Sequence, residues 1–183
     1  MTPSVSPWLV AIDMQNIFGD AASQWFTPKY AQACAGIQRL RPAFGDRQVF
    51  TRFVAPPVPT GAWVPYYKQW SFALVPHTDP LYALTSEFAD AATTITRRAF
   101  GKWDADFHAA IGGADDIVLT GVSTDCCVIS TALGAADAGI RVRVVADACA
   151  GLSDAAHQRA LDAMALYAPL IEITTIDEVL ASL

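Results

Sequence analysis

Two adjacent cysteines follow an apolar run that stops at a glycine: Val118-Leu119-Thr120-Gly121-Val122-Ser123-Thr124-Asp125-Cys126-Cys127-Val128-Ile129. The pattern reads as strand, turn and helix, and it puts the thiols in the first helical turn. Unpaired N–H groups and the positive end of the helix dipole favour a negative charge there. A thiol so placed is easier to ionise, and the thiolate is the nucleophile. The same N–H groups can hold the oxyanion formed when that thiolate attacks a carbonyl. Two more reactive groups stand in comparable places. Trp8-Leu9-Val10-Ala11-Ile12-Asp13 is an apolar strand closing on an acid, and Thr93-Thr94-Ile95-Thr96-Arg97 is a strand closing on a base. In parallel α/β sheets ligands bind outside the carboxyl ends of the strands, so Asp13, Arg97 and Cys127 are expected to converge. Asp13 opposes ionisation of the thiol, because a second anion makes the thiolate more costly.

The elements that must position these groups alternate strand and helix from end to end. Further strands are expected at Gln48 to Val54, Asp116 to Gly121, Arg141 to Asp147 and Leu170 to Thr174. Helices are expected at Tyr30 to Leu40, Pro80 to Phe88, Asp104 to Ile111, Asp125 to Ala138 (stopped by Gly139) and Ser153 to Tyr167. Thr175-Ile176-Asp177-Glu178 fits a capping box opening a last helix. Such alternation predicts one α/β domain over residues 1–183, three-layer αβα, with a six-stranded parallel sheet and helices on both faces. The Pro-rich and aromatic stretch from Ala55 to His77 breaks the rhythm and is read as a functional loop.

The chain has 183 residues, 53% hydrophobic and 16% charged, with a net charge of -6. Its mean hydropathy of +0.30 leaves apolar surface for a pocket or a subunit interface, so a homodimer or homotetramer is expected. The acidic balance and the absence of a basic stripe argue against nucleic acid. No run is long enough for a membrane span, and Met1 to Pro7 lacks the pattern of a secretory signal. A cytoplasmic protein with reduced thiols at Cys34, Cys126, Cys127 and Cys149 is the expectation.

The sequence resembles the isochorismatase-like cysteine hydrolases along nearly its whole length. The resemblance rests on Ala11-Ile12-Asp13-Met14-Gln15, on Gly121-Val122-Ser123-Thr124-Asp125-Cys126-Cys127-Val128, and on Ala138-Gly139-Ile140-Arg141-Val142 through Asp147-Ala148-Cys149-Ala150. It implies Asp13 as catalytic acid–base and Cys127 as nucleophile. It also implies an oxyanion site at the Ser123 turn and Cys127, with a cis peptide before Ser123. The family's third member is a lysine six positions before an aromatic. With Trp103 as that aromatic the position holds Arg97, while Lys102 stands in the following turn; Arg97 is preferred over Lys102 for the basic role. A guanidinium can stabilise a thiolate and orient Asp13 but cannot shuttle a proton. The histidines of the metal-binding nicotinamidase branch are missing after Arg52-Phe53-Val54-Ala55-Pro56, so neither a metal nor another cofactor is expected.

The implied activity is hydrolysis of a C–N bond in a small amide, carbamoyl or ureido compound through a cysteine thioester. Vinyl-ether hydrolysis and non-catalytic small-molecule binding are the alternatives, and the substitution at Arg97 is the best support for the latter. Gln15, Phe18, Trp63, Trp70, Lys102 and Trp103 are further candidates for substrate contact. Trp25, Phe26, Tyr66 and Tyr67 could complete an aromatic wall or serve only as core, and Gln15 could do no more than satisfy backbone groups. Of the histidines, His108 and His157 read as surface or structural, and His77 as the one to test.

Overall fold

The computed structural model describes residues 6–183. Six parallel strands form one sheet: β1 Trp8–Ile12, β2 Gln48–Phe53, β3 Thr94–Arg97, β4 Asp116–Val122, β5 Arg141–Ala150 and β6 Ile171–Thr174, in the order β3-β2-β1-β4-β5-β6. The central strands read as continuous apolar runs because both their faces are covered, and β1 and β4 are buried almost throughout. The order reverses between β1 and β4. Chain leaving β1 moves toward β3, and chain leaving β4 moves toward β6, which opens a crevice at their carboxyl ends. Asp13 follows one of these strands, and the Ser123–Cys127 turn follows the other.

The helices are α1 Asn16–Gly19, α2 Tyr30–Phe44, α3 Trp63–Gln69, α4 Ala105–Ala110, α5 Ile129–Asp137, α6 Asp154–Ala165 and α7 Ile176–Ser182. One core packs α2 and α7, with the aromatics of the 53–100 region, on one face of the sheet. A second packs α4, α5 and α6 on the other. Among the described residues no helix is long and apolar enough to cross a membrane.

Local signals account for most boundaries. Ser153 caps α6 by accepting from Ala156 N–H, and Thr175 with Glu178 forms the reciprocal capping box of α7. Helix α2 runs past Leu40 to Phe44 despite Pro42, because Ile37, Leu40 and Phe44 continue one buried stripe. The stretch from Pro80 to Phe88 is not the expected helix but two short turns, Pro80–Tyr82 and Ser86–Phe88. Gln15 interrupts it, taking the carbonyl of Tyr82 and bridging to Leu84. Inside the loop after β2, residues Trp63–Gln69 coil into α3. Gly121 has φ +107°, and a Cβ there would lie 2.2 Å from Ile12 O. Only glycine lets β4 pass β1 this closely at the mouth of the crevice.

Candidate active site

Asp13 leaves β1 with φ +50°, a left-handed conformation that aspartate adopts more readily than most residues. Thr51, in the middle of β2, holds it twice. The Asp13 N–H donates to Thr51 Oγ1 at 3.0 Å, and that hydroxyl donates to Asp13 Oδ1 at 2.7 Å. The other oxygen, Oδ2, lies 2.9 Å from Lys102 Nζ, and both side chains are wholly buried. Oδ2 accepts no well-aligned hydrogen bond, so it keeps a lone pair for a proton within the site. Lys102 Nζ also donates to Ala99 O at 2.8 Å and lies 5.1 Å from the centroid of the Phe53 ring.

Arg97 does not reach this centre, contrary to the sequence expectation. Its guanidinium forms a two-pronged pair with Asp104, at 2.7 Å and 2.8 Å, on the exposed side of edge strand β3. Asp104 is fixed there because it also caps α4 through Phe107 N–H. The loop after Arg97 instead folds back over α5. Gly101 rests against Ser130, and Lys102 N–H donates to Thr131 Oγ1 at 3.1 Å. Thr131 in turn donates to Cys127 O at 2.7 Å, so the lysine backbone is tied to the carbonyl of the cysteine.

Cys127 lies in a wide helical turn, Thr124–Val128, that precedes the regular helix α5. The N–H groups of Cys126 and Val128 both donate to Ser123 O at 3.1 Å. This leaves the Cys127 N–H, between them, as the candidate oxyanion donor. The Val122–Ser123 peptide is cis. Asp125 braces the turn, its Oδ1 accepting from Ser123 Oγ at 2.6 Å and from Leu152 N–H at 3.0 Å. Cys127 is only 3% exposed. Burial, and then the Asp13 carboxylate, push its thiol well above the ordinary cysteine range, and Lys102 only partly offsets them. The thiol is therefore neutral at rest, not the easily ionised group that helix-terminal placement alone suggested. Its exposed neighbour Cys126 stands at the cavity wall.

Above Cys127 opens a cavity of about 210 Å³, lined chiefly by Phe18, Trp25, Phe53, Tyr66, Trp70 and Phe100, with Ser123, Asp125 and Cys126 on the side of the turn. Trp25 organises the aromatic wall, with ring centroids 5.1 Å from Phe72, 5.8 Å from Phe53 and 6.0 Å from Trp70. Burial pushes the Tyr66 phenol up to about 12, so it stays protonated at neutral pH and can donate.

The structure thus places Phe18 and Trp70 at the cavity but not three other candidates. Gln15 is spent on backbone: Nε2 donates to Phe53 O and Tyr82 O, and Oε1 accepts from Phe53 N–H. Trp63 packs outside the cavity against Tyr66, Tyr67 and Phe100. Trp103 covers Phe107 and His108 on the far face. Phe53, Phe100, Thr51 and Thr131 were not singled out from sequence. A threonine buried within an apolar strand or helix was the available signal for the last two.

His157 Nδ1 pairs with Thr124 Oγ1 at 2.8 Å, and desolvation lowers its pKa. His77 lines a separate surface groove with Val54, Thr96, Arg97 and Arg98. One imidazole beside two guanidiniums does not fit a divalent cation. Among the described residues no group of three or more His, Cys, Asp or Glu side chains could hold a metal ion.

The isochorismatase domain family matches residues 7–178. No curated protein matches the sequence significantly. The fold is similar to that of a cysteine hydrolase from Pseudomonas syringae pv. phaseolicola 1448A, with TM-score 0.84 and 19% identity over 97% of this chain and 93% of that one. It is similar also to N-carbamoylsarcosine amidase from Thermoplasma acidophilum, with TM-score 0.73 and 22% identity over 94% and 98% of the two chains. Pyrazinamidase of Pyrococcus horikoshii, solved in complex with zinc, gives TM-score 0.75 and 20% identity over 93% and 99%. At these identities the likeness establishes the fold.

Proposed function

This chain belongs to the isochorismatase family, and on that premise we propose that it is a cysteine hydrolase cleaving the C–N bond of a small amide, carbamoyl or ureido compound. The observation that carries the reading is the fully buried Asp13–Lys102 pair beside the Cys127 thiol, which itself lines a cavity the size of a small molecule.

The chemistry follows from the protonation states. The resting thiol is neutral, so attack requires its proton to leave as the carbon–sulfur bond forms. Asp13 Oδ2 receives that proton, and Lys102 keeps the carboxylate in place and balances the charge that moves through the site. Cys127 Sγ adds to the carbonyl carbon, and the oxyanion is held by the Cys127 N–H and the Ser123 turn. Collapse breaks the C–N bond, the departing nitrogen taking the proton from Asp13. Water then adds to the thioester, gives a proton to Asp13, and the C–S bond breaks. The proton returns to sulfur, and the acid product leaves.

A non-catalytic binder was the alternative raised by Arg97. Lys102 beside Asp13 removes its main support. The four cysteines are free thiols, which suits a cytoplasmic enzyme acting on a small molecule as a homodimer or homotetramer. A screen of small amides and ureido compounds, read as ammonia release, tests the activity. A mass increment equal to the acyl group on Cys127 after acid quench supports the thioester. Absence of ammonia release across the screen counts against the proposal.

A further inference from the structure

Resting on the amide-hydrolase reading, we infer that the cavity excludes anionic substrates: it takes compounds with a flat, apolar group on the carbonyl to be attacked and rejects their carboxylate-bearing analogues. Six aromatic side chains, Phe18, Trp25, Phe53, Tyr66, Trp70 and Phe100, line it and make the wall chiefly apolar. Among the described residues, no arginine, lysine or histidine lines the cavity. The two cations at the carboxyl edge that were candidates for the site are both committed elsewhere. Arg97 is turned outward onto Asp104, and Lys102 is sealed behind Asp13 with no exposed surface.

The carboxylate that does line the cavity is Asp125. It would repel an anion. Its Oδ1 accepts from Ser123 Oγ and Leu152 N–H, which fixes the negative charge at that wall. A substrate carboxylate would therefore lose its water without gaining an opposite charge, which is among the most costly kinds of burial. A neutral flat group loses little on entry and gains ring contacts with Trp25 and Trp70. The Tyr66 hydroxyl, kept protonated, is left to meet one neutral acceptor.

The test uses matched aryl amides and does not depend on turnover. Full-length protein carrying Cys127→Ala is titrated calorimetrically with benzamide, 4-carbamoylbenzoate and 4-(aminomethyl)benzamide. The expected result is that benzamide binds at least about a hundredfold more tightly than 4-carbamoylbenzoate, and that the ammonium analogue does not share that penalty. Leu152→Arg, placed in the same background at the cavity rim, is expected to improve carboxylate binding by about tenfold and to leave the ammonium analogue no better. Binding of 4-carbamoylbenzoate as tightly as benzamide overturns the inference, as does failure of benzamide to bind at all. If the binding preference is found but wild-type protein releases no ammonia from any amide, the hydrolase reading falls and the charge selection stands.

Discussion

Replacing Lys102 with methionine separates the two candidate bases most sharply. The substitution keeps the length of the side chain and removes its charge. Lys102 and Asp13 are both fully buried 2.9 Å apart, so the change strands a carboxylate in the interior. Breaking a buried ion pair from one side costs about 3–5 kcal/mol. For a chain of this size 1 kcal/mol moves the Tm by about 2–4 °C, which gives a fall of roughly 6–20 °C. Arg97→Met removes a pair whose side chains are 26% and 46% exposed. Such a pair contributes about 0–1 kcal/mol, so the Tm should fall by no more than about 4 °C. Adding Asp13→Asn to Lys102→Met removes the stranded charge, and the double variant should recover part of the lost stability. Differential scanning calorimetry at neutral pH reads all four proteins. Ammonia release from a substrate found in the screen should be lost in Lys102→Met and kept in Arg97→Met. Equal losses in the two single variants, in Tm or in turnover, would refute the placement of Lys102 at the centre.

Gly121→Ala should destabilise the fold by more than about 3 kcal/mol, since the new methyl group would lie 2.2 Å from Ile12 O at φ +107°; soluble yield and urea unfolding check it. Stability should fall with pH above about 9, because burial raises the Cys34 thiol to about 11 and the Cys149 thiol to about 12. In the unfolded chain these thiols ionise near their ordinary value of 9.0. The folded state then holds more protons, and the stabilisation present below pH 9 is lost as pH rises through the folded values. Urea midpoints measured from pH 7 to 11 should decline, and a flat profile would contradict the burial argument. Leu166, Tyr167 and Leu170 form an exposed apolar group at the turn between α6 and β6, and light scattering at micromolar protein should give a mass of two or four chains. A particle of 19.6 kDa would count against the proposed assembly.

The sheet was legible because each central strand is an apolar run bounded by turn residues, and Asp13 could be placed because it ends such a run. The capping box at Thr175 and Glu178 likewise declared itself by residue type. Lys102 could not be placed in the same way. Arg97 does end a strand, as the pattern suggested. But which side chain reaches Asp13 depends on how residues 98–103 return over α5, and Gly101 on Ser130 and Lys102 N–H on Thr131 decide that. These contacts join residues about thirty positions apart and leave no periodic trace. The state of the Cys127 thiol was legible in part, since Asp13 at the end of β1 was expected to oppose its ionisation. Helix-terminal placement is visible in sequence, whereas complete burial beside a carboxylate is not, and here burial is the larger effect. Trp63 and Trp103 show the same limit, since aromatic identity does not tell which side of a wall a ring covers.

The central claim is that Cys127 attacks the substrate with Asp13 as its proton partner. Ammonia release by Cys127→Ala, measured beside wild type and Cys126→Ala with calorimetric binding as the control for folding, tests it most directly. The account predicts a loss of at least about a thousandfold in kcat for Cys127→Ala with binding retained, and a far smaller loss for Cys126→Ala. Hydrolysis by Cys127→Ala at close to the wild-type rate would contradict covalent catalysis by this cysteine.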